Sequence, residues 1–190
     1  MKPTETVDWD KRYREGFYDG ATEPHPLLHQ FWGTIPLGPV VDIAMGNGRN
    51  AFFLAKKGFN VCGLDRSSEA LKIAKQTMSE KGLTIYPILG DAGSLPFKPG
   101  SMTGVIVFYF LLRNIMTEVT HLLKQGGALI YETFLKRQNA IDRHRNPDFL
   151  LDDGELITYF TDFDLLFYEE TVVNTQKGKR ATAKFVGRKR

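Results

Sequence analysis

Residues 104–111 read Gly-Val-Ile-Val-Phe-Tyr-Phe-Leu, a stretch without a single charge. A strand this uniformly apolar has no face to give to water, so it belongs in the middle of a parallel sheet with helices packed on both sides. The surrounding sequence carries the matching elements. Residues 39–44 are a buried strand that ends at glycines, and 49–57 follow as a helix, with Phe52, Phe53 and Leu54 among its apolar positions and Gly58 as its stop. A strand over 59–64 ends at Asp65. Ser67 or Ser68 caps the next helix, in which Ala70, Leu71, Ile73, Ala74 and Met78 recur at helical spacing up to Gly82.

A strand over 84–89 precedes the apolar one. After it come a helix over 115–124, broken by Gly126 and Gly127, and a strand over 128–134. Residues 135–150 are polar and read as a long loop, and a short helix over 154–160 starts after Asp152 or Asp153. The last strands, 163–173 and 181–188, flank a turn over 174–180. This alternation predicts an α/β fold: a doubly wound, Rossmann-like seven-stranded sheet with helices on both faces. Two final strands with no helix between them require the last to run antiparallel to its neighbour. At 190 residues, 42% of them hydrophobic, the chain suits a single domain over 1–190, with 1–35 as an N-terminal helical lid region.

The charge is unevenly placed. Overall, 25 Lys and Arg oppose 22 Asp and Glu. Residues 177–190 hold Lys177, Lys179, Arg180, Lys184, Arg188, Lys189 and Arg190 and no acid; without those seven, 18 cations face 22 acids, a net of −4. Such a segment suits a polyanion as well as a solvated hairpin. No apolar run approaches the roughly 18 residues of a membrane span, and residues 1–20 lack the apolar segment of a secretory signal. A cytoplasmic location and no membrane partner are expected. Cys62 is the single cysteine, which excludes a disulfide framework and a cysteine-based metal cluster. No metal is expected, and the oligomeric state stays open.

Gly46-Asn47-Gly48 lies between the first strand and its helix. Small residues there let a ligand approach the backbone, and the helix N-terminus presents unpaired N–H groups to a negative or polar group. With Ala51 the spacing also satisfies the dinucleotide pattern G-x-G-x-x-A. Asp65, 19 residues past Gly46, can accept hydrogen bonds from ribose hydroxyls and disfavours a 2′-phosphate. Asp91, at the end of the third strand, can accept from an adenine amino group while the Ala92 N–H reaches a ring nitrogen. Asp42, four residues before Gly46, can orient the loop or face a cationic ligand group, and burying it unpaired would be costly. These features converge where doubly wound sheets bind ligands, and they fit an adenosine-containing ligand with a positive or zwitterionic end.

Together these residues resemble the class I S-adenosylmethionine-dependent methyltransferases. Val41-Asp42-Ile43-Ala44-Met45-Gly46-Asn47-Gly48-Arg49-Asn50 is similar to that family's first motif, and Gly63-Leu64-Asp65 to its ribose-binding acid. Gly90-Asp91-Ala92-Gly93-Ser94-Leu95-Pro96-Phe97 is similar to its adenine-binding stretch, and Lys124-Gln125-Gly126-Gly127-Ala128-Leu129 to the turn before its fifth strand. The resemblance implies S-adenosyl-L-methionine as cofactor, held by Asp42, Ala44, Met45, Gly46, Gly48, Asn50, Asp65, Arg66, Asp91, Ala92 and Phe108. Ala44 stands where the family usually has its first glycine, a tolerable exchange because both are small. Gly104 stands where an Asp often opens the fourth strand. Within the family, the chain is most similar to the small-molecule branch of tellurite-resistance and thiopurine methyltransferases. The similarity runs through Trp9, Tyr13, Gly20, Pro24, Leu27 and Leu28 before the core and Glu132-Thr133-Phe134 after the fifth strand. That branch implies an anionic substrate at the loop bearing His144 and Arg145.

Methyl transfer from a sulfonium is an in-line displacement with an activated leaving group, so positioning and desolvation can supply most of the catalysis. Thiolates and chalcogen oxyanions arrive deprotonated, and no conspicuous catalytic constellation is expected. Candidate catalytic residues are Tyr109, Arg113, His144 and Arg145; Arg113 offers forked donors to an anion, and His144 can shuttle a proton. Glu132 is a weak base or substrate contact, and Trp9 with Tyr13 an aromatic lid. The expected function is methyl transfer to a small-molecule acceptor. The alternative is an RNA methyltransferase using the basic segment, so nucleic acid ranks second among partners. An NAD-binding oxidoreductase on Gly46, Gly48 and Ala51, against which Asp42 and Asp91 argue, and a cofactor-sensing domain without catalysis rank lower.

Overall fold

A computed structural model describes residues 7–18, 22–142, 145–175 and 178–190. Seven strands form one sheet: β1 (Pro39–Ile43), β2 (Asn60–Asp65), β3 (Tyr86–Leu89), β4 (Met102–Phe108), β5 (Leu123–Phe134), β6 (Phe163–Thr175) and β7 (Gly178–Lys189). Their order is β3-β2-β1-β4-β5-β7-β6. The first five run parallel, and β7 lies antiparallel between β5 and β6. The helices are α1 (Trp9–Arg14), α2 (Pro26–Phe31), α3 (Arg49–Lys56), α4 (Ser68–Lys81), α5 (Met116–Leu122) and α6 (Glu155–Thr158). The doubly wound sheet with its antiparallel last strand is the architecture that the alternating pattern predicts.

Successive side chains of a strand point to opposite faces. Val41, Ile43, Val105, Val107, Leu129, Tyr131 and Phe185 therefore share one face, where Met116, Val119 and Leu122 of α5 pack on them. Val40, Val61, Ile106, Ile130 and Val186 share the other, under Leu27 and Leu28 of α2, Phe52 and Leu54 of α3, and Leu71 of α4. The same alternation puts Asp42, Phe108 and Glu132 on the α2–α3 face, near the carboxyl ends of their strands. Gly104 has a spatial reason: an added Cβ would lie 2.6 Å from Cγ2 of Ile35.

Two boundaries differ from expectation. β5 begins at Leu123, directly after α5, so Gly126 and Gly127 lie inside the strand rather than in a break. Its register against β4 shifts between the Met102–Leu123 and Gly104–Ala128 pairs, and the positive φ of Gly126, 77°, accommodates the irregularity. Lys189 closes the helix end by donating to the carbonyls of Thr120 and Leu123, both at 2.9 Å. The final hairpin is also longer than expected, because Thr175 already pairs with Gly178. The polar 135–150 segment contains 3₁₀ turns at Lys136–Ala140 and Pro147–Phe149. Among the described residues, no helix is long and apolar enough to cross a membrane.

Candidate functional site

The glycine loop leaves β1 through Ala44 at φ 58°, followed by Gly46 at 60° and Gly48 at 86°. The left-handed region costs an L-residue roughly 1–2 kcal/mol, so conformation rather than size is what the alanine at 44 strains. The loop is fastened to β2. Asp65 Oδ2 accepts from the Gly46 N–H at 2.7 Å, and Oδ1 accepts from the Ser67 N–H at 2.8 Å. Burial pushes the Asp65 carboxyl upward, against these N–H groups that pull it down. Beneath the loop, Asp42 is 1% exposed and its Oδ2 has no hydrogen-bond partner among the described residues. Burial, then the charge of Asp65, raises its carboxyl well above the ordinary range, opposed by Arg49 and the Ala51 N–H.

Other expected cofactor residues fall in different places. Asp91 is exposed just past β3, with Oδ1 accepting from the Gly93 N–H at 2.7 Å, and Ala92 is buried beside it. Arg66 lines a cleft of about 260 Å³ with Trp9, Asp10 and Ser67. Phe108 ends β4 and stacks on His25, ring centroids 4.4 Å apart. Two residues turn away from the loop's open side. Met45 packs its sulfur against β2, where a Cβ added at Gly63 would lie 1.9 Å from it. Asn50 holds the start of α2, its Oδ1 accepting from the His25 N–H at 2.8 Å.

The N-terminal segment crosses this region. Asp10 accepts from Ser67 Oγ at 2.6 Å, Ser68 Oγ at 3.1 Å and the Glu69 N–H at 3.2 Å, tying α1 to the N-terminus of α4. Tyr13 thereby lies over the glycine loop, its hydroxyl 2.4 Å from where a Cβ on Gly46 would be. Trp9 instead stacks under Arg12, 5.1 Å from its ring centroid. Asp10 carries no motif, but an acid one residue after Trp9 in a segment destined to cover a serine-capped helix was its available signal.

On the other side of β4, Tyr109 adopts φ 55°, a strained conformation for a bulky residue that costs on the order of 1–3 kcal/mol. Its N–H donates to the Glu132 carbonyl at 2.8 Å. The ring stacks on Phe134, centroids 4.8 Å apart, and the Arg180 guanidinium lies over it at 4.8 Å. Arg145 covers Phe134 at 4.3 Å and bonds Asp142, while its buried Nε has no partner among the described residues. Arg180 makes no ion pair among the described residues.

Arg113 corrects one expectation. Its Nε and Nη2 grip both oxygens of Glu155 at 2.6 and 2.9 Å, and Nη1 and Nη2 donate to the Asp148 and Leu150 carbonyls at 2.7 and 2.8 Å. The fork meant for an anionic substrate is occupied in fastening the 148–155 loop. His144 lies outside the described residues. The unforeseen participant is His25, the N-cap of α2, 4% exposed, with Nε2 2.9 Å from Tyr109 Oη. Glu132, 2% exposed, lies on its other side. The basic segment is also partitioned: Lys184 pairs with Glu169, Lys189 caps α5, and Arg190 bonds the Thr161 carbonyl. Of the described cations there, only Lys179, Arg188 and Arg190 are exposed.

A doubly wound sheet with a glycine loop after β1 and acids at the ends of β1, β2 and β3 has the arrangement in which such folds place a ligand site. A methyltransferase-domain family model matches residues 40–127. Hemagglutinin 1 of Eikenella corrodens is 25% identical over 179 residues, 88% of this chain and 59% of its own length. The demethylmenaquinone methyltransferase of Renibacterium salmoninarum is 33% identical over 108 residues, 54% of this chain and 44% of its own. TehB of Haemophilus influenzae, a probable S-adenosyl-L-methionine-dependent methyltransferase, is 24% identical over 155 residues, 77% of this chain and 54% of its own. The TehB crystal structure superposes with a TM-score of 0.75 at 19% identity, over 95% of this chain and 67% of that one. The chain spans about half the length of the curated relatives it matches. Residues 40–127 are thus similar to a methyltransferase domain, and the sheet as a whole shares the fold of the TehB structure.

Proposed function

We propose that this chain binds S-adenosylmethionine at the carboxyl ends of β1–β4 and methylates a small, negatively charged acceptor held beside β5 and β7. The observation that carries the reading is the orphaned Oδ2 of Asp42. A buried carboxylate oxygen without a donor is costly, and a ligand whose end bears an ammonium supplies one. The remaining residues fit the same ligand: Asp65 for ribose hydroxyls, Asp91 and the Ala92 N–H for adenine, Gly46 and Gly48 for close backbone approach, with Ala44, Phe108 and Arg66 around them. Met45 and Asn50 support the loop from behind.

Bound there, the cofactor supplies a methyl group activated on a sulfonium. The chain's own work is positioning. Arg145 and Arg180 present guanidinium groups to an anion, the Tyr109–Phe134 stack excludes water, and Tyr13 with α1 covers the loop. A thiol or a chalcogen oxyanion fits that acceptor pocket. Isothermal titration with S-adenosylhomocysteine tests the reading. Binding that NAD does not compete is expected, and no heat at about 1 mM ligand would overturn it.

A further inference from the structure

The acceptor side holds a buried polar chain that positioning alone does not require. Tyr109 Oη lies 2.9 Å from Nε2 of His25. The opposite ring nitrogen, Nδ1, lies 3.5 Å from Glu132 Oε2, an oxygen with no hydrogen-bond partner among the described residues. Glu132 is fixed from its other oxygen, which accepts from Thr182 Oγ1 at 2.8 Å. Distances of this kind are often long without substrate and tighten in the complex. The strained backbone of Tyr109 is a separate observation: it turns the phenol inward to His25 while the ring stays half-buried against Phe134 and Arg180.

We infer that Tyr109, His25 and Glu132 form a proton relay, and that the acceptor arrives protonated at oxygen, nitrogen or sulfur and carries a separate anionic group for Arg145 and Arg180. The inference rests on the methyltransferase reading. Replacing the acceptor's X–H bond by X–CH3, while the carbon–sulfur bond breaks and its electron pair stays on sulfur, leaves one proton over. That proton passes to Tyr109 Oη, the phenol's own proton to His25 Nε2, and the Nδ1 proton to Glu132 Oε2. Tyr109 touches the acceptor; His25 and Glu132 act through it.

The electrostatics suit this traffic. Burial lowers His25 to about 3, helped by Arg49 of α3 and by Arg180 and Lys184 of β7, so the ring stays neutral and exchanges tautomers instead of gaining charge. Burial raises Glu132 to about 7, opposed by Thr182, Lys184 and Arg180 and reinforced by Glu169 of β6. The His25–Glu132 contact is therefore no ion pair. Burial, then the Glu132 charge, raises the Tyr109 phenol, with Arg180 and Arg49 opposing, so it rests as the neutral phenol and takes up a proton only as it releases its own. In the final state Nδ1 is free to accept from the Leu27 N–H, 3.4 Å away, which closes the cap of α2.

Two measurements on the full chain test the relay. Nitrogen NMR of the histidine-labelled protein with S-adenosylhomocysteine should show His25 neutral while its proton moves from Nε2 to Nδ1 as pH rises through about 7, and Glu132→Gln should abolish that exchange. A single tautomer throughout, or a ring charging near its ordinary 6.5, overturns the relay. Transfer to para-hydroxybenzoate, protonated at about pH 8, is then compared with transfer to para-mercaptobenzoate, whose thiol is ionised there. Tyr109→Phe should lower the ratio of the two rates by about 100-fold. Equal losses on both, no loss, or no methylation of the hydroxy acid by the native chain overturn the inference. Glu132→Gln, close in shape, should lower the same ratio and remove the limb of the pH–rate profile near 7. Cofactor binding is read in parallel, and its absence sinks the methyltransferase reading itself.

Discussion

Arg113→Met keeps the side-chain stem and removes the fork that grips Glu155. Burial alone would raise the Glu155 carboxyl, but hydrogen bonds from Arg113, Tyr159 and the Asp152 N–H outweigh it and hold the group at about 2, against an ordinary 4.5. At ~1.4 kcal/mol per pH unit, that favours the folded carboxylate by about 3 kcal/mol before screening. The Arg113 side chain is 35% exposed, which reduces its share to about 2 kcal/mol at neutral pH. A folded pKa below the unfolded one contributes stability above about pH 4.5 that is lost as pH falls toward 2. Native chain and variant should therefore differ by about 2 kcal/mol in urea unfolding at neutral pH. The gap should shrink to about 1 kcal/mol or less near pH 2, where only the Asp148 and Leu150 carbonyl bonds distinguish them. A gap that stays constant between about pH 5 and 2 would refute the argument, because it would mean that the carboxylate is not what Arg113 holds.

Ala44→Gly should raise stability by about 0.5–1 kcal/mol, since relief of the left-handed alanine exceeds the added freedom of the unfolded chain; a lower urea midpoint would contradict this. Asp65→Ala removes the acceptor of the Gly46 N–H and the proposed ribose contact, and should weaken S-adenosylhomocysteine by roughly 30–150-fold in calorimetry, with less than about threefold counting against it. Arg180→Met should raise the KM for para-mercaptobenzoate by about 10-fold, and an unchanged KM would move the anion subsite elsewhere. Asp10→Ala detaches α1 from α4, so limited trypsinolysis at Lys11, Arg12 and Arg14 should accelerate; equal cleavage rates would show that other contacts hold the helix.

What the sequence made legible follows from period and placement. The unbroken apolar stretch of β4 and the helical spacing of Ala70, Leu71 and Ala74 report burial directly, so the sheet and its order of elements could be read. The acids at 42, 65 and 91 were legible as ligand candidates because strand ends are known positions. His25 was not, because it is buried only by α2 packing over β4 and β5, and its bond to Tyr109 spans 84 residues. Glu132 left a trace: it shares the face of Ile130, where an acid is out of place. Arg113 and Arg180 exchange their expected standing for the same reason. A guanidinium's role depends on which carboxylate the fold brings to it, and Glu155 reaches the first while, among the described residues, none pairs with the second.

The placement of β7 between β5 and β6 has a kinetic consequence. β6 and β7 are consecutive in sequence and pair from Thr175–Gly178 onward, and a hairpin closes in about 1–10 μs, whereas β1–β4 and β4–β5 pairing must first close long crossover loops. The local β6–β7 pairing can therefore form ahead of the parallel pairings, with docking onto β5 to follow. Thr182 and Arg180 arrive with it, and Glu132 meets its hydroxyl donor at that moment. The half of the site facing the acceptor thus matures in the docking step, separately from the glycine loop and its acids. A local opening of β7 from β5 would dismantle proton handling and anion recognition together while leaving the β1–β2 side of the sheet intact.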